Sequence, residues 1–373
     1  MSVLPDKAVV LGSGAGALTI AGELSLAGVE TTIADFDQFR AGIDAVRDQG
    51  GVRLHCAFHG AEIAPVLASS AEPAEAVKGA PLVIVSVPSF GHVPFAEALA
   101  PVVEDGQTII WAGEGGGSFS MVSALRVIDR RPDILLGETN SLPYSARVKG
   151  PATVTATRKR GGTLIAGMPS ASTDQVFAIA NELWPWTTMA QNAWETVLVN
   201  FNAIDHVPTL LCNLGSVEAR RGPMLIWGEG ATPGVVRAIE RVDAELLELR
   251  GALGLNDRTR YEEFLVAQGL AEEVGGDLYE TMRSSGLMAG VFHCGPDALE
   301  NRYITEDIPY AHVLAASIGD ELGVDTPLID GLCTLASTVV GRDLRDEGRT
   351  LATWDLEGAG SDGLARAVED GWW

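Results

Sequence analysis

Apolar positions in the first third of the chain recur as short continuous runs separated by stretches of helical spacing. Lys7–Leu11 (KAVVL) is such a run; Gly12-Ser13-Gly14-Ala15-Gly16-Ala17 follows, then a helical pattern from Leu18 to Leu26 that stops at Gly28. A second β-rich run, Thr31–Ala34, ends at Asp35 and completes a strand–helix–strand unit. Leu82–Val87 and Thr108–Ala112 are further buried-strand candidates with helix-like segments between them. Such alternation predicts a parallel sheet.

Beyond Gly150 the pattern changes. Ala152–Thr157 and Thr163–Ala166 read as a hairpin or edge strands around Gly161-Gly162, and the sheet domain is expected to close around Trp184-Pro185-Trp186. The spacing then turns helical over Asn192–Asp205, Gly234–Leu253 and Tyr310–Leu322. The expectation is an α/β Rossmann N-terminal domain over 1–187 and an all-α C-terminal domain over 188–373, with no internal repeat.

Composition narrows the function classes. The 373 residues suffice for two domains with separate cores, and 46% hydrophobic with 20% charged residues is a globular balance. The longest apolar runs, such as Pro81–Pro88, fall far short of the roughly 20 residues a spanning helix needs, so no membrane passage is expected. The N-terminus lacks the pattern of a secretory signal, which points to the cytoplasm. Cys56, Cys212, Cys294 and Cys333 are scattered and read as reduced thiols. His55, Cys56 and His59 fall close together without a fourth ligand at motif spacing, so no metal site is expected. A net charge of −24 disfavours nucleic acid and gives weight to any arginine that could hold a carboxylate substrate.

The glycine run has the chemistry of a dinucleotide cradle. Gly12, Gly14 and Ala17 match G-x-G-x-x-G/A, where small residues permit a sharp turn, admit a pyrophosphate to the backbone N–H groups and seat the helix on the strand; Gly16 lies in the same turn. The strand before, the helix after and the acidic Asp35 at the end of the next strand make the context specific. Asp35 is expected to accept from ribose hydroxyls and to repel an added phosphate, which favours NAD(H) and leaves NADP(H) possible. FAD, which uses the same fingerprint, stays open as a lesser alternative.

In the second half Asn202 and His206 stand four residues apart, on one helix face, and could hold a carboxylate or amine and exchange a proton with it. A lone helical histidine more often packs in a core. This one belongs to a series: Asn202–Leu211 (NAIDHVPTLL), Glu229-Gly-Ala-Thr232-Pro233, Arg302-Tyr-Ile-Thr-Glu-Asp307-Ile-Pro-Tyr310, Thr326-Pro-Leu-Ile-Asp330 and Gly348-Arg349-Thr350-Leu351. With Val87-Pro88, His92 and Gly137-Glu-Thr-Asn-Ser141, these segments resemble, in that order, the opine dehydrogenase family, which includes octopine and nopaline dehydrogenases and bacterial N-(carboxyalkyl)amino-acid dehydrogenases. Hydroxyacyl-CoA, ketopantoate and 6-phosphogluconate dehydrogenases share the Rossmann-plus-helical plan but lack this combination.

The resemblance implies a helical domain like the C-terminal one of 6-phosphogluconate dehydrogenase. It also implies an NAD(P)H-dependent condensation in which an amino acid and a 2-keto acid such as pyruvate form an imine that is reduced to a secondary-amine dicarboxylate. Carried over by position, His206 is the catalytic histidine, Asp307 its carboxylate partner and Arg302 the arginine that holds the keto-acid carboxylate. Asn202 joins them in catalysis and substrate binding, Tyr310 in substrate binding, and Val87 and Pro88 in cofactor binding. His312 and Gly295-Pro296 depart from the pattern and bear on the choice of amine, whereas Arg158-Lys159-Arg160 reads as a solvated tip. Two other readings stay open: simple reduction of a 2-keto acid or hydroxyacyl substrate without an amine, and a nucleotide sensor without a reaction. A homodimer is the expected assembly.

Overall fold

The computed structural model describes residues 3–56, 60–68, 72–158, 161–219, 224–256, 259–284, 295–296 and 298–373. Packing divides the chain into two compact units, one of Met1–Lys159, Thr163–Val197 and Arg366–Trp373, the other of Arg160–Gly162 and Leu198–Ala365. The first unit therefore runs past residue 187, the boundary expected from sequence. The reason is the helix Ala193–Leu198: Trp194 packs on Phe119 with ring centroids 4.4 Å apart, and the Thr196 hydroxyl donates to Glu138 at 2.6 Å. The C-terminus joins the same unit, the Arg126 guanidinium lying 5.6 Å from the Trp373 ring and that of Arg131 5.2 Å from Trp372.

The first unit holds two sheets. Its strands are β1 (Lys7–Leu11), β2 (Glu30–Ala34), β3 (Val52–Cys56), β4 (Gly60–Ala64), β5 (Leu67–Ala68), β6 (Leu82–Val85), β7 (Thr108–Trp111), β8 (Leu135–Thr139), β9 (Tyr144–Gly150), β10 (Thr153–Arg158), β11 (Thr163–Met168) and β12 (Thr187–Met189). The larger sheet has the order β12-β11-β8-β7-β6-β1-β2-β5, parallel throughout except where β11 runs against β8. Ala8 to Leu11 and Leu82 to Val85 are buried, as expected of strands covered on both faces. β6 stops two residues before the expected end, because Pro88 has no N–H to continue a ladder.

The smaller sheet, β4-β3-β10-β9, overturns one expectation. Ala152–Thr157 and Thr163–Ala166 do not pair with one another. β10 forms its hairpin backwards with β9, turning at Pro151-Ala152 where Ala152 takes φ 43°, while β11 leaves for the other sheet. The helix Ala15–Leu26 lies between the two sheets, which explains its sequence: Ala17 through Leu24 are all buried, so an apolar stripe on one face would not suffice. Trp184 and Trp186 tie the second sheet down, their indole N–H groups donating to the Tyr144 hydroxyl at 2.9 Å and the Pro143 carbonyl at 3.1 Å. His55 and Cys56 sit on β3; His59 lies outside the described residues.

The second unit is helical. The expected helix Asn192–Asp205 is in fact two, because Asn200 leaves the helical region (φ −100°, ψ 91°) and its side chain accepts from the Asn202 and Ala203 N–H groups as the cap of the helix Phe201–Cys212. That helix packs on Pro233–Ala252, with Val313–Leu322 and Pro327–Val340 behind. A π-helical turn, Ile308–His312, precedes Val313. No helix among the described residues is long and apolar enough to cross a membrane.

Candidate functional site

In the first unit the residues predicted to hold a dinucleotide come together at the C-terminal ends of β1, β2 and β6. Gly12 has φ +112°, and a Cβ there would sit 2.5 Å from the Ser86 carbonyl oxygen and 3.1 Å from Val87 Cγ1. Gly16 is equally constrained, by the Ser86 hydroxyl at 2.6 Å and Leu142 at 2.7 Å, and Ala17 is fully buried. Gly14 differs: an added Cβ would meet no described atom within 4 Å. Packing accounts for the small residues at 12, 16 and 17; at Gly14 the described residues leave open space.

The helix that starts after Gly14 has no side-chain cap and no acidic residue in its first turn, so its N–H groups and dipole are open to an anion. Asp35 follows β2, accepting from the Ser13 hydroxyl at 2.7 Å and the Phe36 N–H at 2.8 Å. Burial pushes its carboxyl above the usual range, and these two donors oppose the shift. The donor set and the open glycine fit a dinucleotide, with Val87 beside the turn and Pro88 exposed next to it.

Two other segments singled out from sequence are structural. His92 is buried with its ring edge against Trp111, centroids 5.4 Å apart. Glu138, fully buried, accepts from the Gly116 and Ser118 N–H groups at 3.0 and 2.8 Å and so caps the helix Gly117–Val127.

In the second unit, two segments 101 residues apart meet at His206. Its Nδ1 lies 2.8 Å from Asp307 Oδ2. The imidazole is one-fifth exposed and the Asp307 side chain 3%. Burial drives the Asp307 carboxyl well above its ordinary range, Glu306 beside it adds to the shift, and Arg302 opposes it. The imidazole lies flat against the Tyr303 ring, 3.6 Å between centroids and 4° between planes, with Trp227 5.9 Å away. Sequence reading missed both aromatic neighbours, although Tyr303 stands inside the segment that carries Arg302 and Asp307.

Arg302 is on the same short helix, Arg302–Thr305, its side chain 70% exposed and its Nε donating to Glu306 Oε2 at 2.6 Å. Asn202 is exposed one turn before His206, and it is its backbone N–H that the Asn200 cap engages. Tyr310 is half-buried, its carbonyl accepting from Arg349 at 2.9 Å. His312 is a core residue: it is 1% exposed, its Nε2 meets the Ala203 carbonyl at 2.8 Å, and burial lowers it to about 4.

The remaining recurrent segments buttress this constellation. Arg349 N–H donates to the Pro309 carbonyl at 2.8 Å, and a Cβ on Gly348 would meet that same oxygen at 2.9 Å. Glu245 accepts from the Leu328 and Ile329 N–H groups at 2.9 Å, capping the helix that begins in Thr326-Pro327. Asn213 Nδ2 donates to the Thr209 and Gly230 carbonyls, pinning the end of the His206 helix to the loop before Thr232-Pro233.

Comparison with known proteins places these features in one family. Residues 189–340 match the family model described as NAD/NADP octopine/nopaline dehydrogenase, alpha-helical domain. The chain is 31% identical over 369 residues to an opine dehydrogenase of Arthrobacter sp. (strain 1C), covering 96% of this chain and 98% of that one. It is 24% identical to the protein ocs of Agrobacterium tumefaciens (strain Ach5), covering 97% and 99%. Among solved structures, an octopine dehydrogenase in complex with NADH and agmatine superposes with a TM-score of 0.79 at 20% identity, over 97% of this chain and 98% of that one.

Proposed function

The chain belongs to the opine dehydrogenase family and is an NAD(P)(H)-dependent oxidoreductase of the opine type, and from that premise we propose how its residues divide the work. The amino group of an L-amino acid joins the carbonyl of a pyruvate-like 2-keto acid, and reduction of the imine gives an N-(carboxyalkyl)amino acid. His206 is the acid and base, Asp307 its orienting partner, and Arg302 the anchor of the keto-acid carboxylate. The observation that carries this reading is the 2.8 Å contact between His206 Nδ1 and the buried Asp307.

With Nδ1 committed to Asp307, Nε2 is the nitrogen left to exchange a proton with substrate. In condensation, Nε2 gives a proton to the oxygen that departs from the keto-acid carbon as water; in the reverse direction it takes a proton from the attacking water. Asp307 keeps the ring in one tautomer and offsets the charge of the imidazolium. Tyr303, stacked flat on the ring, fixes its tilt. Arg302, held at Nε by Glu306, presents an exposed guanidinium whose shape suits a carboxylate in an otherwise acidic protein. The bound nicotinamide cofactor supplies the hydride. Asp35 and the open turn at Gly14 support NADH over NADPH, because a carboxylate at the ribose repels a second phosphate.

Asn202 and Tyr310 stand as neighbours of the substrate in this reading, Asn202 by its exposed place one turn from His206. A cytosolic setting is supported by the free thiols of Cys56, Cys212 and Cys333. A homodimer is the assembly we propose with it.

The test is NADH oxidation with pyruvate plus each amino acid in turn and each partner omitted in controls. Oxidation that needs both partners supports reductive condensation and names the amine. Oxidation at full rate with keto acid alone reassigns the protein to simple keto-acid reduction. Full turnover in His206→Ala would sink the assignment of the acid and base.

A further inference from the structure

Asp205, the residue before His206, is buried, and proton exchange at Nε2 as described gives it no task. Its Oδ1 lies 3.9 Å from His206 Nε2 and has no hydrogen-bond partner among the described residues. Its Oδ2 accepts from the hydroxyl of Tyr261, itself buried. Tyr261 in turn offers its backbone N–H to Asp243 Oδ2 at 3.2 Å, and Asp243 faces the buried Arg250 guanidinium at 3.8 Å. The imidazole therefore has a carboxyl near each nitrogen: Asp307 at Nδ1, within hydrogen-bond reach, and Asp205 at Nε2, beyond it.

A side chain needed only to satisfy the Tyr261 hydroxyl would require one acceptor, which an amide supplies without an acid. A second buried oxygen with no donor is costly. At 3.9 Å what passes between Oδ1 and Nε2 is charge, and that is strong where water is excluded. We propose that Asp205 is a positioning residue for the proton exchange, an off-axis counter-charge that stabilises His206 as an imidazolium without itself taking a hydrogen bond from Nε2. This rests on the reading of His206 as the acid and base.

The groups around the pair are consistent with that role. Burial pushes the Asp205 carboxyl up to about 7; His206 and the Tyr261 hydroxyl pull it back, and Asp307 opposes them. Its charge therefore changes near neutrality. From the segment packed against the His206 helix come Tyr303, Asp307, Glu306 and Arg302; from the helix Tyr261–Ala267 comes Tyr261; behind it, on Pro233–Ala252, stand Asp243 and Arg250.

The experiment is Asp205→Asn, read by NMR titration of the His206 imidazole in labelled protein and by the pH profile of NADH oxidation. The amide keeps an acceptor for Tyr261 and removes the charge. The imidazole midpoint then moves to lower pH by about one unit, the scale set by one opposite charge at this distance. Turnover on the alkaline side falls about tenfold, while KM for the keto acid stays within about twofold. Tyr261→Phe moves the midpoint in the same direction by less, since it removes only a donor that keeps Asp205 charged; it also carries the test should the Asn variant not fold. An unchanged midpoint in a folded variant, or a loss of turnover equal at every pH, overturns the proposal. Full turnover in His206→Ala would instead remove the catalytic reading, with the titration coupling still measured separately by NMR.

Discussion

An imidazole held at Nδ1 and flat against a phenol is fixed in orientation, so its partners can be tested by what each removes. Asp307→Asn keeps the size of the partner and a hydrogen bond to Nδ1 but favours the wrong tautomer, and turnover should fall about 10²- to 10⁴-fold with NADH affinity by fluorescence unchanged. Parallel loss of NADH binding would show the pair to be structural. Arg302→Lys should act elsewhere: replacing the planar fork with a point charge raises KM for the keto acid by about tenfold or more and spares kcat. An unchanged KM would leave Arg302 as no more than a surface partner of Glu306. The meeting of His206 with Asp307 was expected from the resemblance of their segments to one family, and the two lie 2.8 Å apart. The parts played by Asp205 and Tyr303 were not legible in the sequence, although both lie inside quoted segments, because stacking and burial exist only once chain separated by about a hundred residues is brought together.

At the scale of elements, the glycine turn was readable because its whole rule is local: strand, turn, helix and acid fall within Lys7–Asp35. The second sheet was not, since β3 and β10 pair in parallel across half the first unit and no local spacing announces that. The break at Asn200 was hidden for a different reason: the apolar period continues through it, and only the cap geometry marks the interruption. Two glycines in one turn give a test of what locality means. Gly12→Ala forces a Cβ against the Ser86 carbonyl oxygen at positive φ, so it should lower the melting temperature as well as weaken NADH binding. A Cβ at Gly14→Ala meets no described atom within 4 Å, and φ −78° is one that alanine tolerates. The variant should leave the melting temperature nearly unchanged while weakening NADH about tenfold or more, because the added methyl occupies space where pyrophosphate approaches the backbone. Equal affinity in the Gly14 variant would mean that the open space is not the phosphate site.

For the molecule as a whole, the response to pH is a balance of buried groups whose shifts have opposite signs. Asp205 and Asp243 are held up at about 7 and about 6 from an ordinary 3.8, so the folded chain keeps their protons where the unfolded chain loses them. Their contribution to stability is fully present below 3.8 and is lost as pH rises through 6 and 7. His312 works the other way. Held neutral in the core and lowered to about 4 from 6.5, it binds a proton in the unfolded chain across that window and not in the folded one, so stability is lost as pH falls from 6.5 toward 4. The wild-type curve alone mixes these effects, but His312→Gln isolates one, because glutamine can still donate to the Ala203 carbonyl and does not titrate. Between pH 7.5 and 5 the wild type should lose about 2 kcal/mol more unfolding free energy than the variant, read from urea midpoints at each pH. Parallel curves would mean that His312 is protonated in the folded core and that the Ile308–His312 turn tolerates its charge. A gap that opens only below pH 6.5 would make this buried histidine the acid-sensitive element of the helical unit.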